Sequence, residues 1–282
     1  MSGRESSEGR KLAEAVGEFE IHVWRVELEQ PAVVVDGLRG LLAEDELARA
    51  SRFYFEEHRR RFIVARAALR RILGRYLGLD PDRVAFSYEP KGKPAIAGGS
   101  DMDLQFNVTH TDDLALYAVT RGRPVGIDVE LRREMPEALR IARRFFTADE
   151  VDWLRDHRPE ERSDAFLTLW TRKEAYVKAI GEGLSCPLNR IDVWESDEGS
   201  GHVREPEAGS PEERPWRFWD LSVGSEHMAA LAVPEGPALF RSRCWLPAGD
   251  TESSTATTGR CGPADDVRPR DDLRDVREGR SR

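Results

Sequence analysis

The sequence has no long apolar run, and this absence excludes several classes of protein. No stretch approaches the roughly 20 apolar residues that a membrane-spanning helix needs, and the opening residues MSGRESSEGRK lack the apolar core of a signal peptide. The three cysteines, Cys186, Cys244 and Cys261, are odd in number and far apart, which fits neither a disulfide framework nor a zinc site. We therefore expect a soluble, cytoplasmic protein with no membrane partner.

An excess of basic residues is missing as well. The 282-residue chain has 43 lysines and arginines against 52 aspartates and glutamates, a net charge of −9. This balance argues against nucleic acid as a partner, because nucleic-acid-binding proteins present basic surfaces to the phosphates. Large apolar residues are scarce at both ends of the sequence. Since neither end can bury enough surface to offset the entropy lost on ordering, we expect residues 1–18 and 247–282 to be disordered tails.

Between these tails the pattern changes twice from helices to strands. A short helix is predicted over residues 41–52 and a long one from Glu56 to Leu77, which Gly78 and Pro81 end. The stretches LQFNVTH, LALYAVT and VGIDVE, joined by short turns, predict an antiparallel meander. A second helical block runs from FFTADE to VKAI, and WRFWDLSV with HMAALAV predicts a closing hairpin.

This order of elements predicts an α+β fold of two pseudo-symmetric lobes, each a long helix packed on a small antiparallel sheet. The N-terminal lobe is expected over residues 19–123 and the C-terminal lobe over residues 124–246 of a monomer. A binding site is then expected between the lobes, where pockets commonly form.

The stretch VGIDVE carries two carboxylates on one side of a strand. Alternation along a strand places Asp128 and Glu130 on the same face, opposite Ile127 and Val129. Like charges so close repel each other unless a cation lies between them, and a hard cation such as Mg²⁺ prefers oxygen ligands. A half-buried strand with a solvated acidic face explains the same pattern and stays open.

The helix in WTRKEAYVKAI carries a second polar stripe. Trp170, Glu174 and Lys178 follow one another at intervals of about 40° around the helix axis, with Lys173 at the edge of the stripe. If this stripe meets Asp128, the site holds three carboxylates and a lysine, which suits phosphoryl-type transfer. An exposed glutamate–lysine pair beside a core tryptophan is the structural alternative.

The N-terminal half adds cationic and polar groups. Lys91 and Lys93 surround a glycine in KGKP, and the strand FNVTH ends with Asn107, Thr109 and His110. Most of the arginines on the long helix are expected to form a solvated face. Thr147 followed by Glu150 predicts a capping box that begins a helix.

Taken together, the ordered motifs GKP, FNVTH, GIDVE, FFTADE and WTRKEAYVKAIGEGLSCPL resemble those of the 4′-phosphopantetheinyl transferase family, in its longer, two-lobed (surfactin-synthetase-activating) type. The resemblance covers residues 50 to 190, about half of the chain. It implies an enzyme that moves the phosphopantetheine arm of coenzyme A to a serine of an acyl or peptidyl carrier protein. It further implies Mg²⁺ as cofactor and adenosine 3′,5′-bisphosphate as product.

The resemblance also implies roles for individual residues. Asp128, Glu130 and Glu174 match the metal-binding carboxylates, Glu174 also matches the base for the carrier serine, and Lys178 matches the lysine held against the pyrophosphate. The candidate contacts for coenzyme A are Arg61, Lys91, Lys93, Asn107, Thr109, His110, Asp128 and Lys178. Carrier proteins are acidic around their serine, so a basic or apolar patch beside the cleft is expected, with Phe145 and Phe146 as candidates.

Two features depart from the family pattern. Some members carry lysines before the long helix, where this sequence has AEDELARASRF, and Thr109 stands where many members have serine. Two other functions remain as alternatives. One is a non-catalytic binding module for coenzyme A or carrier proteins, and the other is a nucleic-acid binder that uses the arginine-rich helix.

Overall fold

The computed structural model describes residues 13–98, 103–183, 186–195, 200–204, 215–247 and 267–269. Its helices are α1 (Ala32–Leu38), α2 (Glu44–Ala50), α3 (Glu56–Leu77), α4 (Ala138–Phe145), α5 (Ala148–Asp156) and α6 (Arg162–Ile180). Its strands are β1 (Glu20–Glu27), β2 (Phe86–Tyr88), β3 (Pro94–Ile96), β4 (Leu104–Thr111), β5 (Leu114–Arg121), β6 (Gly126–Leu131), β7 (Asp192–Glu195), β8 (Ser200–Arg204), β9 (Trp216–Ser222), β10 (His227–Pro234), β11 (Leu239–Cys244) and β12 (Arg268–Pro269). Single 3₁₀ turns lie at Arg39–Leu41, Pro81–Arg83, Pro159–Glu161 and Leu188–Arg190.

The bounds of the first long helix and the end of the second agree with the prediction. Helix α3 has the predicted bounds and ends where Gly78 adopts a left-handed conformation with φ 64°. Gly181 ends α6 in the same way, with φ 75°. The predicted helix over residues 41–52 is wrong in detail: the chain forms α1, a 3₁₀ turn and α2 instead, because it is extended at Leu42 and Ala43.

The strands form two main sheets and one small hairpin. The first sheet has the order β11-β1-β5-β4, and the second has β6-β10-β9-β8-β7 with β12 added to β9. Strands β2 and β3 form the hairpin. Two regions of helix and sheet are therefore present, and the predicted α+β class is confirmed. The first sheet is not purely antiparallel as predicted, because β11 returns from the C-terminal half and pairs parallel to β1.

The predicted three-strand meander is wrong at its last strand. Strands β4 and β5 pair antiparallel, but β6 pairs with β10 in the second sheet. Ile127 and Val129 of β6 are buried between the two sheets, while Gly126 on its other face lies against α6. In the second sheet both faces of β6 are therefore covered, one by the first sheet and the other by α6.

Three apolar clusters hold the molecule together. One surrounds α3, one surrounds α6, and the third lies between the two sheets. The third joins Ile21 and Leu116 of the first sheet to Ile127 and Leu231 of the second, all of them inaccessible to solvent. The two lobes therefore share a core and face each other through their sheets.

The lobe and tail limits need partial correction. Strand β11 lies in the first sheet, and Trp245 packs in the core around α3, although both were placed in the C-terminal lobe. In the predicted N-terminal tail, Val16 is buried and Glu14 N donates to Arg75 O at 2.9 Å.

In the predicted C-terminal tail, Val267 is buried, its N–H donates to Ser242 Oγ at 2.8 Å, and β12 pairs with β9. These parts of the tails are ordered because each adds an apolar side chain to a core. Residues 1–12, 248–266 and 270–282 of the predicted tails lie outside the described residues.

Cys244 is disulfide-bonded, whereas Cys186 forms no disulfide. The prediction that cysteine spacing allows no disulfide is therefore wrong for Cys244, because distance along the sequence does not show which thiols approach in space. Among the helices in the described part of the chain, none is both long and apolar enough to cross a bilayer.

Candidate active site

The site begins where strand β6 lies directly against helix α6. At Gly126 an added Cβ would come 1.9 Å from Ala175 O and 2.5 Å from Ala179 N, so only glycine permits this approach. The close contact brings the short side chain of Asp128, two residues further along β6, within reach of Lys178 on α6.

Asp128 is the buried centre of the site, with 4% of its surface exposed. Its Oδ1 accepts hydrogen bonds from Lys178 Nζ at 2.5 Å and from Thr109 Oγ1 at 3.2 Å. Lys178 Nζ also donates to Thr109 Oγ1, at 3.1 Å. Burial raises the pKa of Asp128, while Lys178 and Thr109 act in the opposite direction. The predicted meeting of the β6 and α6 motifs is present, and Thr109 from the first lobe completes it.

Glu130 and Glu174 lie around this centre. Burial and the charge of Asp128 raise the pKa of both carboxyl groups, and the charge of Glu130 raises the pKa of Glu174 further. Trp170 makes a hydrogen bond to the Glu130 side chain, and Arg133 approaches it at 3.7 Å. The three carboxylates therefore share one electrostatic environment that favours an added positive charge.

The donor set suits a hard cation. Asp128 Oδ2 is buried and has no hydrogen-bond partner, and an unpaired buried carboxylate oxygen is costly without a ligand. Carboxylate oxygens are also the ligands that Mg²⁺ prefers. As arranged, the described residues contain no group of three acidic, histidine or cysteine side chains that already converges on one metal position. Asp128 Oδ1 is instead paired with the ammonium group of Lys178.

Lys173 does not belong to the site. It is fully buried on the far side of α6, forms an ion pair with Glu150 at 2.8 Å and donates to the carbonyls of Leu188 and Ile191. The predicted capping box is confirmed, with Thr147 Oγ1 accepting from Glu150 N at 3.4 Å and Thr147 N donating to Glu150 Oε2 at 3.0 Å. Glu150 thus joins the start of α5 to the middle of α6.

A cavity of about 580 Å³ opens in the first lobe next to these groups. Of the predicted residues, it is lined by Arg61, Thr109 and His110. Burial lowers the pKa of His110, with Lys178 and Arg49 acting in the same direction, so the three groups lie close enough to influence one another. Thr109 and His110 therefore connect the cavity to the carboxylates.

Sequence reasoning missed several residues of the cavity wall. Arg49, His58, Arg66 and Tyr88 also line it, and the Arg66 guanidinium lies over the Phe86 ring, 4.5 Å from its centroid. Arg66 belongs to the arginines of the long helix for which a solvated face is expected, because helical spacing does not show which side of α3 another element covers. The nearest available signal was the basic and aromatic stretch ARASRFYF before α3.

Arg61 already has acidic partners in this structure. Its guanidinium forms an ion pair with Glu29 at 2.6 Å, lies 3.7 Å from Asp112 and also pairs with Glu57. Its side chain lines the cavity, but its charge is largely balanced by these three carboxylates. Its assignment to a phosphate of coenzyme A stays a prediction.

The other residues predicted to contact coenzyme A are bonded to protein groups outside the cavity. Asn107 Oδ1 accepts from Ile127 N at 3.0 Å and so joins the two sheets. Lys93 Nζ donates to Ala179 O at 3.0 Å, and Lys91 forms an ion pair with Glu182 at 2.5 Å. Their neighbours Gly92 and Pro94 line the cavity, whereas the two lysines contact the end of α6.

Comparison with known proteins agrees with this geometry. Residues 32–121 match the family model described as 4′-phosphopantetheinyl transferase, N-terminal, and residues 124–232 match that of the 4′-phosphopantetheinyl transferase superfamily. The chain is 46% identical over 215 residues to 4′-phosphopantetheinyl transferase HetI of Nostoc sp., a match that covers 76% of this chain and 87% of the relative.

The 4′-phosphopantetheinyl transferase Sfp of Bacillus subtilis is 32% identical over 171 residues, which cover 60% of this chain and 74% of the relative. A holo-(acyl-carrier-protein) synthase structure from Bacillus anthracis matches 40% of this chain and 96% of its own, with 22% identity and a TM-score of 0.34.

The family models and both relatives describe transferases, which places the chain in the class of group-transfer enzymes. The identity to HetI over most of both chains then settles the family: the chain belongs to the 4′-phosphopantetheinyl transferases. The resemblance carried by the sequence motifs is thereby confirmed.

Proposed function

We propose that this enzyme transfers the 4′-phosphopantetheine arm of coenzyme A to a serine of an acyl or peptidyl carrier protein and releases adenosine 3′,5′-bisphosphate. The observation that carries the proposal is the junction of Asp128, Thr109 and Lys178 beside a cationic cavity. A pyrophosphate bound between this junction and the cavity would have Lys178 on one side and room for the nucleotide on the other. In this proposal the enzyme acts as a cytoplasmic monomer.

Glu174 is the proposed base. Burial and the neighbouring carboxylates raise the pKa of Glu174, and a carboxylate with a raised pKa is a stronger base. Glu174 takes the proton of the carrier serine, the serine oxygen forms a bond to the β-phosphorus, and the bond from that phosphorus to the bridging oxygen breaks. The electron pair of the broken bond leaves with adenosine 3′,5′-bisphosphate.

Lys178 has two proposed roles. In the free enzyme its ammonium balances the buried charge of Asp128. With substrate present, it stabilises the negative charge that grows on the leaving phosphate. We also propose that Asp128, Glu130 and Glu174 hold Mg²⁺, which when bound supplies neutralisation of the pyrophosphate charge. The unpaired Oδ2 of Asp128 supports this assignment.

The cavity is proposed to bind the adenosine end. Arg49 and His58 are candidate partners for its 3′-phosphate, in addition to the predicted His110, whereas Arg66 is paired with Glu46. Arg49 is a better candidate than Arg61, since Arg61 is paired with three carboxylates. Arginine suits such a contact because its planar fork can bind a phosphate through two hydrogen bonds.

Helix α4 is the proposed docking surface for the acidic carrier. Arg143 and Arg144 are exposed there, and Phe145 packs edge-to-face on Trp170 with ring centroids 6.1 Å apart. Phe146, the other predicted aromatic contact, is buried against Phe166 and cannot reach a partner. The docking surface is therefore expected to combine the two arginines with Phe145 alone.

The test is mass spectrometry of a panel of apo carrier proteins incubated with the enzyme, coenzyme A and Mg²⁺. We expect a mass increase equal to one phosphopantetheine on at least one carrier, with equimolar adenosine 3′,5′-bisphosphate. Chelation of divalent cations should abolish the increase and added Mg²⁺ should restore it. Coenzyme A binding without modification of any fatty-acid, polyketide or peptide-synthetase carrier would contradict the proposal.

A further inference from the structure

The hairpin β2–β3 of the first lobe reaches across to the C-terminal end of helix α6. Lys93 Nζ donates a hydrogen bond to Ala179 O at 3.0 Å. Nearer to the solvent, Lys91 forms an ion pair with Glu182 at 2.5 Å, and both of these side chains are exposed. The two lysines of KGKP therefore contact Ala179 and Glu182, and these two contacts link the first lobe to the end of α6.

The contact meets a general need of helix ends. The last carbonyl groups of a helix have no partner within the helix, and they form the negative end of its dipole. Within α6, Gly181 N closes the last turn on Val177 O at 3.1 Å, while Ala179 O accepts from Lys93. A lysine is well suited to this position because its ammonium both donates a hydrogen bond and opposes the dipole.

The hairpin also packs closely on this end. A Cβ added to Gly181 would lie 3.0 Å from Glu89 Oε2 and 3.8 Å from Lys93 Cδ. Glu89 N bonds to Lys93 O at 2.9 Å, so the hairpin presents both residues as one unit. Burial lowers the pKa of Lys93 and Glu89 raises it, as expected for an ammonium group partly removed from water.

The contact is relevant to the proposed reaction because Lys178 lies at this end of α6. Lys178 immediately precedes Ala179, and its ammonium must reach Asp128 and Thr109 at 2.5 Å and 3.1 Å. A rotation or fraying of the last turn would move Lys178 away from both oxygens. The hydrogen bond from Lys93 opposes such a movement.

We propose that Lys93 is a positioning residue, which fixes the last turn of α6 from the opposite lobe and thereby places Lys178. The proposal rests on the proposed transfer reaction, in which Lys178 stabilises the leaving group. It differs from the role suggested by the sequence motif, in which Lys93 contacts coenzyme A directly. The two roles predict different kinetics.

The kinetic test compares Lys93→Met with Lys93→Arg, using coenzyme A and dephospho-coenzyme A as donors. Methionine keeps the length and apolar stem of lysine but cannot donate, so we expect kcat to fall by about 10- to 100-fold, the size typical of a misplaced catalytic group. The KM for coenzyme A and the preference for coenzyme A over dephospho-coenzyme A should change by less than about threefold. Arginine should recover most of kcat, because it keeps the donor and the charge.

An increase in KM at unchanged kcat, or a loss of the preference for the 3′-phosphate, would make Lys93 a ligand contact and overturn the proposal. The matched control is Glu182→Gln, which removes the exposed partner of Lys91 and should change kcat by less than about twofold.

A second measurement does not depend on activity. In the ligand-free enzyme, amide hydrogen exchange over residues 178–183 should become at least about tenfold faster in Lys93→Met, while Glu182→Gln and Lys93→Arg stay close to the wild-type rate. Equal protection in all four proteins would refute the positioning role. If the wild-type enzyme modified no carrier, the proposed reaction would fail, but the exchange result would still decide whether Lys93 holds the helix end.

Discussion

The two lobes differ in how closely the long helix approaches its sheet. Helix α6 lies directly on β6 and β10 along small residues, with Ala175 facing Gly126 and Ala230 next along the surface. Helix α3 is separated from the first sheet by large side chains, above all the fully buried Tyr76 and Trp24. The same architecture is therefore built with two different spacings.

This difference accounts for the position of the candidate site. At the close contact, a short aspartate on a strand can meet a lysine on a helix, as Asp128 and Lys178 do. At the wide contact, Tyr76 Oη accepts from Trp24 Nε1 at 2.8 Å and lies 2.8 Å from His22 Nδ1, which satisfies the buried polar atoms without leaving a reactive group. The first lobe instead contributes the cavity beside α3.

The largest effect is expected from the base on the close side. Glu174→Gln keeps the shape and one oxygen but cannot accept the serine proton, so turnover should fall by about 10²–10⁴, the usual loss on removing a general base. Coenzyme A should still bind within roughly tenfold, measured by calorimetry with Mg²⁺ present. The control is Glu160→Gln on the surface of the same lobe, which should keep its turnover. A near-normal rate for Glu174→Gln would return Glu174 and Lys178 to an ordinary helical pair.

The next effect tests the close spacing itself. In Gly126→Ala the new methyl group would overlap Ala175 O, so α6 must move away from β6, and we expect a loss of about 3 kcal/mol or more in the free energy of unfolding. Gly37→Ala is the matched change on α1, where an added Cβ meets nothing within 4 Å and should stabilise the helix by about 0.5–1 kcal/mol. Denaturant unfolding measures the free energy of unfolding of both variants. Equal values would contradict the closer approach of helix to strand at Gly126.

A smaller effect is expected at the C-terminal strand that serves both lobes. Val267 is buried in the layer between the sheets, so Val267→Ala should lower the free energy of unfolding by about 1.5–2 kcal/mol. Val33→Ala, at a site with 78% exposure, should change it by less than about 0.5 kcal/mol. If Val267→Ala were equally neutral, burial of the Val267 side chain would contribute nothing measurable to stability.

The smallest effects concern pH, and they should have opposite signs in the two lobes. Burial lowers the pKa of His22 from its ordinary value of 6.5, with Arg243 acting in the same direction and Glu20 and Glu14 against it. Because the folded His22 resists protonation, its contribution to stability is complete above pH 6.5 and decreases as the pH falls below that value. Burial raises the pKa of Glu174 above its ordinary 4.5, so its contribution is complete below pH 4.5 and decreases as the pH rises.

Urea unfolding between pH 5 and pH 8 separates these two contributions. His22→Gln should reduce the loss of stability on the acid side, and Glu174→Gln should reduce the loss on the alkaline side. Each variant should leave the slope at the other end of the range unchanged. A single variant that changed both slopes would contradict the assignment of the acid-side loss to His22 and of the alkaline-side loss to Glu174.

The comparison of the lobes also shows which parts of the fold could be predicted. The bounds of α3 and the end of α6 followed from helical periodicity and from glycines suited to a left-handed conformation, both of which are local properties. The destination of β6 could not be predicted, because its alternation of apolar and polar residues fits either sheet. The parallel pairing of β11 with β1 was missed for the same reason: it joins residues that are far apart in the sequence.

For the site, the sequence motifs identified Asp128, Glu130, Glu174 and Lys178, and the structure brings these four residues into one environment. The cationic groups were harder to assign. The seven arginines of α3 are spread around much of the helix, so periodicity alone could not distinguish Arg66, which lines the cavity, from arginines in the solvent. For Lys91 and Lys93, the sequence showed two lysines around a glycine but not the helix end that they contact.

The sequence by itself determined the bounds of α3, the end of α6 and the family, and it supplied the candidate site residues, because these depend on local spacing and on residue type. Only the tertiary structure decided which groups neutralise each other. Lys173 and Lys178 lie five residues apart on one helix, yet one is buried against Glu150 and the other joins Asp128. What separates them is the packing around α6: α5 covers one side, whereas β6 approaches the other closely enough, at Gly126, to bring a carboxylate to the lysine.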